Sequence, residues 1–282
     1  DMGGLTRLES KDMMEEYRKY PGIVLDIKPY ANTYMLFGRY VAGKPWNDVR
    51  VRRAVSLVID RKACIIAKSG DPTLGMEAGF QVAGTAWALP RDELLKALGI
   101  DGPMEKRIAQ AKKLMADAGY PDGFKAEIMV DTQAWWRNVA SVIADNLKRT
   151  LNIELLMASV DEATTAQRLL RRQYDLHTTA LNPALGEPSE MLAWFVTGAP
   201  ANFMGYSNPK VDELILKQDA TLNYGERLKV VHELEKLLIQ ELPWIPLFTP
   251  MRGTPYWNYV KGYSFTGRLY DKIPWHEVWL DK

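Results

Sequence analysis

An apolar stripe with a helical period follows Asp48. Small apolar side chains recur at intervals of three and four residues, which places them on one face of an α-helix: Val51, Ala54, Val55 and Val58. We expect this helix to begin at Asp48, a suitable N-cap, and to end at Asp60 and Arg61. Arg50 and Arg53 lie mostly off the stripe, so the dense arginine pattern indicates scaffold rather than a binding patch.

Two stretches before this helix predict strands, because they are rich in β-branched and aromatic residues. They are IVLDIKPY (23–30) and YMLFGRY (34–40). A helix is predicted before them at 10–20, where Ser10 can cap its start and a Pro-Gly pair follows its end.

Strands and helices alternate in the middle of the chain. Apolar runs predict strands at 125–131, 152–158 and 174–179, and helical periods predict helices at 135–149 and 161–172. This alternation favours an α/β fold with a largely parallel or mixed sheet. The remaining periodic segments predict helices at 103–118, 189–197, 209–220 and 224–241, followed by an extended aromatic stretch at 244–263.

Residues 69–90 contain glycine and proline without a sustained period, so they predict a long loop. Long loops in compact domains are often functional. Most carboxylates, by contrast, occur on predicted helix faces beside lysine or arginine. We expect these carboxylates, which include Glu233 and Glu235, to be solvated.

Composition narrows the class of protein. The chain has 282 residues, of which 47% are hydrophobic and 25% are charged, as in an ordinary globular protein. A formal net charge of +1 provides no overall field toward nucleic acid, and we expect no nucleic-acid partner. Cys64 is the single cysteine, which excludes a disulfide within the chain. No histidine has metal-ligand spacing, and we expect no metal or cofactor.

The junctions between strands and helices hold the candidate binding residues, since ligands of α/β sheets gather at the carboxyl ends of strands. DTQAWWRN (131–138) offers Trp135 and Trp136 as an apolar platform and Arg137 as a partner for an anionic group. Two adjacent tryptophans cannot both face one core, so we expect one to line a cleft or an interface. LNPALGEP (181–188) offers Glu187. We add Tyr34, on the strand predicted at 34–40.

The segment PWNDVRVRRAVSLVIDR (45–61) resembles the signature of the extracellular solute-binding proteins of family 5, which serve peptide, nickel and oligosaccharide ABC importers. Later segments are similar to further motifs of that family. They occur in the family's order, which makes the resemblance specific although each motif alone is weak: AKKLMADAGYPDGF (111–124), NLKRTLNIEL (146–155) with QYDL (173–176), YSNPKVDELI (206–215) and ELPWIPLF (241–248).

The resemblance implies a periplasmic-binding-protein-like fold of type II, in the peptide-binder class, with a mixed sheet flanked by helices. It covers only the C-terminal portion of a family member, so the N-terminal lobe of the same protein would be missing from this chain. Residues 1–34 would end the first lobe and cross over, residues 35–260 would form the second lobe, and residues 261–282 would return to the first.

The resemblance also implies a function. The protein would bind a solute between two lobes without catalysis and deliver it to an ABC permease in the membrane. It would be periplasmic or extracellular and associated with the membrane through that permease. The half-site on this chain would contain no cofactor.

The solute class stays open between a peptide and an oligosaccharide. Peptide binders of the family hold the peptide's amino terminus with an Asp in the loop after the Tyr-Asp-Leu strand, and the corresponding position here is Asn182 or Pro183. The family's Asn after the crossing strand is replaced by Gly38. Both departures weaken a plain dipeptide assignment, because an unpaired ammonium in a buried cleft is costly.

Two other functions stay open on the residues alone. One is a ligand-sensing domain of a transcriptional regulator, which a helix-turn-helix before Asp1 would indicate. The other is an α/β hydrolase or transferase, for which no pair of nucleophile and base can be named in the sequence.

Overall fold

Helices and strands alternate along the chain in the computed structural model, which describes residues 8–184, 186–267 and 275–282. The helices are α1 (Lys11–Arg18), α2 (Val49–Val58), α3 (Arg61–Ser69), α4 (Arg91–Leu98), α5 (Met104–Asp117), α6 (Ala134–Leu151), α7 (Glu162–Leu170), α8 (Pro188–Leu192), α9 (Pro209–Ala220) and α10 (Tyr224–Glu241). The strands are β1 (Ile23–Pro29), β2 (Thr33–Gly38), β3 (Gly75–Glu77), β4 (Lys125–Asp131), β5 (Glu154–Val160), β6 (Leu176–Leu181), β7 (Trp244–Trp257), β8 (Val260–Lys261) and β9 (Trp279–Leu280).

The main sheet is mixed, with strand order β1-β7-β2-β6-β4-β5 and β3 paired to β7. Strands β4, β5 and β6 are parallel, as expected for strands joined through helices. Strand β2 is antiparallel to both β6 and β7. The expected α/β class with a mixed sheet flanked by helices is therefore confirmed.

Each face of the sheet buries its own hydrophobic core, because successive side chains of a strand point to opposite faces. On β2, Leu36 belongs to the core beneath α2, α3, α5 and α6, whereas Phe37 belongs to the core beneath α9 and α10. Strand β4 alternates in the same way, with Ile128 on the first side and Met129 on the second. The fold is a three-layer arrangement in which helices cover both faces of the sheet.

The arginine-rich segment forms two helices where we expected one. Asp48 caps α2, as predicted, through a hydrogen bond from the amide of Arg50. Asp60 does not end a helix, because its carboxylate accepts the amide of Ala63 at 3.0 Å and so caps the following helix, α3. The end of the apolar stripe correctly predicted the end of α2, but it did not indicate that α3 begins directly afterwards.

Two arginines of α2 bind the last carbonyl groups of α10. Arg52 is almost fully buried and donates to the carbonyl oxygens of Leu242, Glu241 and Trp46 at 2.9, 2.8 and 2.7 Å. Arg53 donates to the carbonyl of Ile239 at 2.6 Å. The C-terminal carbonyls of a helix have no partner within the helix, so α2 supplies the missing donors. These contacts agree with the scaffold role that we predicted for the arginine-rich segment.

Several element ends differ from the sequence prediction. Strand 34–40 ends at Gly38, helix 189–197 is a short helix followed by a tight turn at Ala193–Phe195, and α4 was not predicted. Helix α6 continues to Leu151 because Asn152 adopts a left-handed conformation with φ of 53° and caps its end. Strand β5 therefore begins two residues later than expected.

Strand β7 changes its pairing partner along its length. Its first residues pair with β2, whereas Met251–Trp257 pair with β1 and form a two-stranded ribbon. Helix α1 packs on this ribbon, and β8 pairs with β9 nearby in sequence. The expected segments 1–34 and 261–282 include residues 1–7 and 268–274, which lie outside the described residues. Within the described ranges, no helix is long and apolar enough to cross a bilayer.

Candidate functional site

A cavity of about 260 Å³ lies at the edge of the sheet where β6 ends and β2 begins. Four segments of the described chain enclose it, namely the turn after β1, the segment after β6, the loop 78–90 and residues 266–267. The carboxyl end of a parallel strand is the usual position of a ligand in α/β folds. The polar and aromatic side chains that line the cavity include Gln81, Thr85, Trp87, Glu187 and Thr266.

Glu187 stands in the wall of this cavity immediately before α8. Its carboxylate accepts a hydrogen bond from Arg227 of α10 at 2.9 Å. The guanidinium of Arg227 lies over the ring of Trp87, 5.0 Å from its centroid, and the ring centroid of Tyr224 lies 5.1 Å from that of Trp87. The carboxylate is thus neutralised by a cation that an aromatic ring also holds.

Gln81 lies in the same wall with 3% of its surface exposed. Its side-chain nitrogen Nε2 has no hydrogen-bond partner among the residues that the structure describes. Leaving a buried amide donor unpaired costs on the order of 1–3 kcal/mol. The unpaired donor makes Gln81 a candidate polar contact of the cavity.

Glu235 of α10 is buried, which corrects the expectation of a solvated carboxylate. Its oxygens accept the amides of Phe80 and Gln81 at 2.8 and 3.1 Å and of Leu89 at 2.8 Å. Burial raises the pKa of this carboxyl to about 7, against the opposing effect of the three amides. Its helix-face spacing beside lysine misled the prediction, because nothing local shows that the loop 78–90 packs there.

The two tryptophans after β4 have different surroundings, as we expected of adjacent residues: one is packed and the other is exposed. Trp136 packs against the ring of Tyr34 at 4.6 Å, and Tyr34, which is 3% exposed, stacks on Phe248 at 4.5 Å. Trp135 stays 40% exposed with Lys68 over its ring. Arg137 is exposed at the same junction.

The structure brings the candidate residues to two places along the edge rather than to one point. Glu187 lines the cavity, and Asn182 is exposed next to Pro183, which also lines it. Leu185, in the same loop, lies outside the described residues. Trp135, Trp136, Arg137 and Tyr34 are absent from the cavity wall among the described lining residues.

The residues that the sequence prediction missed include cavity residues of the loop 78–90, and Arg227 of α10, which pairs with the lining residue Glu187. The loop 69–90 was singled out as functional, but nothing in it distinguished Gln81 or Trp87. Arg227 resembled any solvated helix residue, because its partners are distant in sequence.

A second, smaller cavity of about 150 Å³ lies at the opposite edge of the sheet. Arg39, Trp46, Phe124 and Tyr174 line it. Gly38 lies at this end, where a Cβ atom would lie 2.7 Å from the Trp46 ring and 2.6 Å from Leu176. The glycine that departs from the family pattern is therefore explained by the bulk of Trp46 and does not touch the first cavity.

Candidate groups for catalysis or metal binding are buried or dispersed. Burial raises the pKa of the Cys64 thiol to about 12 and lowers the pKa of His177 to about 4, where His177 also bonds the carbonyl of Met129. Within the described ranges, no three His, Cys, Asp or Glu side chains are grouped to hold a metal.

Comparison with protein families gives a match over most of the chain. The model described as "Bacterial extracellular solute-binding proteins, family 5 Middle" matches residues 7–203. This range contains β1 to β6 and the segments 45–61, 111–124, 146–155 and 173–176 of the sequence resemblance, whereas 206–215 and 241–248 lie beyond it.

Curated relatives share the chain's sequence at low identity. The chain is 25% identical over 245 residues to heme-binding protein A of Haemophilus influenzae, covering 80% of this chain and 41% of the relative. It is 22% identical to the periplasmic murein peptide-binding protein MppA of Escherichia coli, covering 89% and 48%. It is also 22% identical to the dipeptide-binding protein DppE of Bacillus subtilis, covering 73% and 38%. The chain thus spans less than half the length of these relatives.

Solved structures match the fold over nearly the whole chain. The structure of HbpA2 from Haemophilus parasuis aligns with a TM-score of 0.79 at 20% identity, covering 95% of this chain and 52% of that one. The murein tripeptide binding protein MppA of Escherichia coli aligns with a TM-score of 0.76 at 23% identity, covering 93% and 51%. The expected type II binding-protein fold is confirmed.

Proposed function

The chain belongs to the bacterial extracellular solute-binding proteins of family 5, and we propose that it forms one wall of the solute cleft of an ABC-importer binding protein. The observation that carries this proposal is the cavity at the carboxyl edge of the sheet, lined by Gln81 and by Glu187, whose carboxylate pairs with Arg227. The protein would bind its solute without catalysis, since the family consists of solute-binding proteins.

The other wall of the cleft would come from a first lobe outside this chain. The ribbon of β1 and the second half of β7 would join the two lobes, so that residues 1–34 and 261–282 belong with the first lobe and 35–260 form the second. Exposed aromatic residues near the ribbon support this division, because a partner surface would cover them: Tyr20, Trp275 and Trp279. The closed protein would deliver its solute to a membrane permease from the periplasm or the cell exterior.

A peptide-like solute is favoured over an oligosaccharide, since two of the relatives described above are named for binding peptides. The end of the solute that enters the cavity would be uncharged. The carboxylate of Glu187 already pairs with Arg227, and no other carboxylate lines the cavity within the described residues. A free ammonium there would lack a counter-charge, whereas an amide or acetyl oxygen would accept from Gln81.

Contacts outside the cavity would come from the exposed candidates. Trp135 and Arg137 would meet the part of the solute that extends along the sheet edge, and Asn182 would flank the cavity mouth. Tyr34 and Trp136, which lie outside the cavity wall, would act on the solute indirectly, through their packing at the sheet edge.

A thermal-shift screen of the full-length protein tests the proposal. The probes are a pool of tripeptides with free amino ends, the same peptides N-acetylated, and a pool of linear oligosaccharides. We expect a peptide pool to raise Tm by mass action, and the acetylated pool to raise it at least as much as the free pool. A protein whose Tm none of the three pools changes would contradict solute binding of this class.

Arg227→Gln tests the uncharged end. This variant releases the Glu187 carboxylate, so the free-amino pool should gain in its Tm shift relative to the acetylated pool. Arg149→Gln, an exposed arginine paired with Asp145 on α6, is the matched control and should preserve the wild-type order. An unchanged order in both variants would rule out the Glu187–Arg227 pair as the determinant.

A further inference from the structure

One buried carboxylate fastens both ends of the loop 80–89. Glu235 Oε1 accepts the amides of Phe80 and Gln81, where the loop begins, and Oε2 accepts the amide of Leu89, where it ends. The three donor–oxygen distances lie between 2.8 and 3.1 Å. A single side chain of α10 therefore determines the separation of the two ends.

The rest of this loop has little regular structure to hold it. The amide of Ala83 donates to Thr249 Oγ1 at 3.1 Å. The backbone–backbone hydrogen bonds described within the loop close two tight turns. Five loop residues nevertheless line the cavity, including Gln81, Thr85 and Trp87. The shape of this wall depends on how the loop ends are held.

Holding a helix to a core through a buried carboxylate is energetically unfavourable. Glu235 is fully buried and has no ion-pair partner within the described part of the chain, so desolvation of its charge opposes folding. An apolar residue here would avoid that cost. Gly79 fits the same arrangement, since a Cβ at this position would collide with Glu235 Oε1. The loop and the carboxylate are thus built around each other.

We propose that Glu235 is a positioning residue of the solute site, which holds the loop 80–89 in the shape that presents Gln81 and Trp87 to the cavity. Glu235 does not itself line the cavity, so it acts through the loop. The role in solute binding rests on the proposed function, whereas the holding of the loop stands on the contacts alone.

Few charged groups surround Glu235. The loop 78–90 contains no titratable residue. From α4, Glu93 raises the pKa of Glu235 by its charge, and Glu93 itself pairs with Lys236 at 2.6 Å. On α10, His232 lies one turn earlier. The pH dependence of the chemical shifts of the loop amides would therefore report mainly the ionisation of Glu235.

Amide hydrogen exchange followed by NMR tests the holding of the loop. In Glu235→Ala we expect the amides of Phe80, Gln81 and Leu89 to exchange at least tenfold faster, while the amide of Leu36 in β2 keeps its rate. In Glu235→Gln the carboxamide has one accepting oxygen, so one end of the loop should lose protection and the other should keep it. Glu233→Gln, an exposed residue on the same helix, is the control and should change none of these rates.

A second readout separates positioning from general stability. In the wild type the shifts of the three loop amides should titrate together with a midpoint near pH 7, and this titration should vanish in Glu235→Gln. Wild-type exchange of the loop amides in Glu235→Ala would overturn the proposal. So would an equal increase at Leu36, which would make Glu235 a general contributor to folding. Where Glu235→Ala does not fold, Glu235→Gln decides.

Solute binding is measured separately on the full-length protein with the tripeptide pools. Glu235→Gln should weaken the affinity at least tenfold, and Glu233→Gln should leave it unchanged. Loss of loop protection with unchanged affinity would refute the role in binding. If the wild type binds no peptide while the loop amides behave as expected, the proposed function fails and the holding of the loop stands.

Discussion

The structure changes the interpretation of Gly38 from a residue that affects the ligand to a residue required by packing. Its departure from the family's Asn pointed to an altered ligand, but it lies at the edge of the sheet opposite the candidate cavity. There the absence of a side chain admits the indole of Trp46, which is almost fully buried. Packing therefore accounts for the glycine.

Gly38→Ala should destabilise the protein by about 1–3 kcal/mol, because the added Cβ overpacks the space between Trp46 and Leu176. Urea denaturation measures the change. Gly102→Ala is the control, since nothing lies within 4 Å of a Cβ there, and it should change the free energy of unfolding by less than about 0.5 kcal/mol. Equal effects of the two variants would mean that Trp46 moves aside freely.

His177 should make the fold sensitive to acid. Burial lowers its pKa from 6.5 to about 4, so the folded protein binds fewer protons than the unfolded chain between these values. The stability associated with neutral His177 is present above pH 6.5 and is lost as the pH falls toward 4, by about 2 kcal/mol at pH 5.

Denaturation curves at pH 5 and pH 7 test this behaviour in wild type, His177→Gln and His276→Gln. The pH-dependent difference should shrink in His177→Gln and persist in His276→Gln, whose imidazole is exposed. A difference that survives the His177 substitution would assign the acid sensitivity to other groups.

At the scale of elements, the arginine-rich helix α2 acts as a cap for another helix. Arg52 and Arg53 reach the end of α10, which lies almost 190 residues later in the chain. Arg50 instead pairs with Asp48 at the surface. Neighbouring arginines of one helix thus have different roles, according to the face on which each lies.

Arg52→Met should cost about 2–4 kcal/mol, because it leaves buried carbonyl groups of Leu242 and Trp46 without a donor. Arg50→Met on the same helix should cost less than about 1 kcal/mol, since its ion pair is exposed. Chemical denaturation of both variants measures the difference. Similar losses would show that hydration replaces the guanidinium of Arg52.

Long periodic segments could be predicted from the sequence, because burial on one face imposes their period. Helices 209–220 and 224–241 and strand 125–131 were predicted with the bounds that the structure shows. Helix α3 was missed because its cap, Asp60, also ended the preceding stripe. Glu235 and Arg227 were unpredictable as site residues, since their partners lie in a loop and a turn brought near by the tertiary fold.

At the scale of the whole molecule, the sheet separates two edges with different surroundings. One edge carries the cavity of Gln81 and Glu187, and the other carries the smaller cavity beside Trp46. The sequence pattern located the first edge, because the junctions after β4 and β6 could be placed at strand ends. It could not show which side chains enclose the cavity.

Hydrogen–deuterium exchange of the full-length protein, with and without the N-acetylated tripeptide pool, locates the solute site. If the solute enters the cavity of Gln81 and Glu187, bound peptide should protect segments 80–89 and 181–187 and leave the segments around Trp46 and Phe124 unchanged. Protection confined to the segments around Trp46 and Phe124, with 80–89 and 181–187 unaffected, would contradict this location of the site.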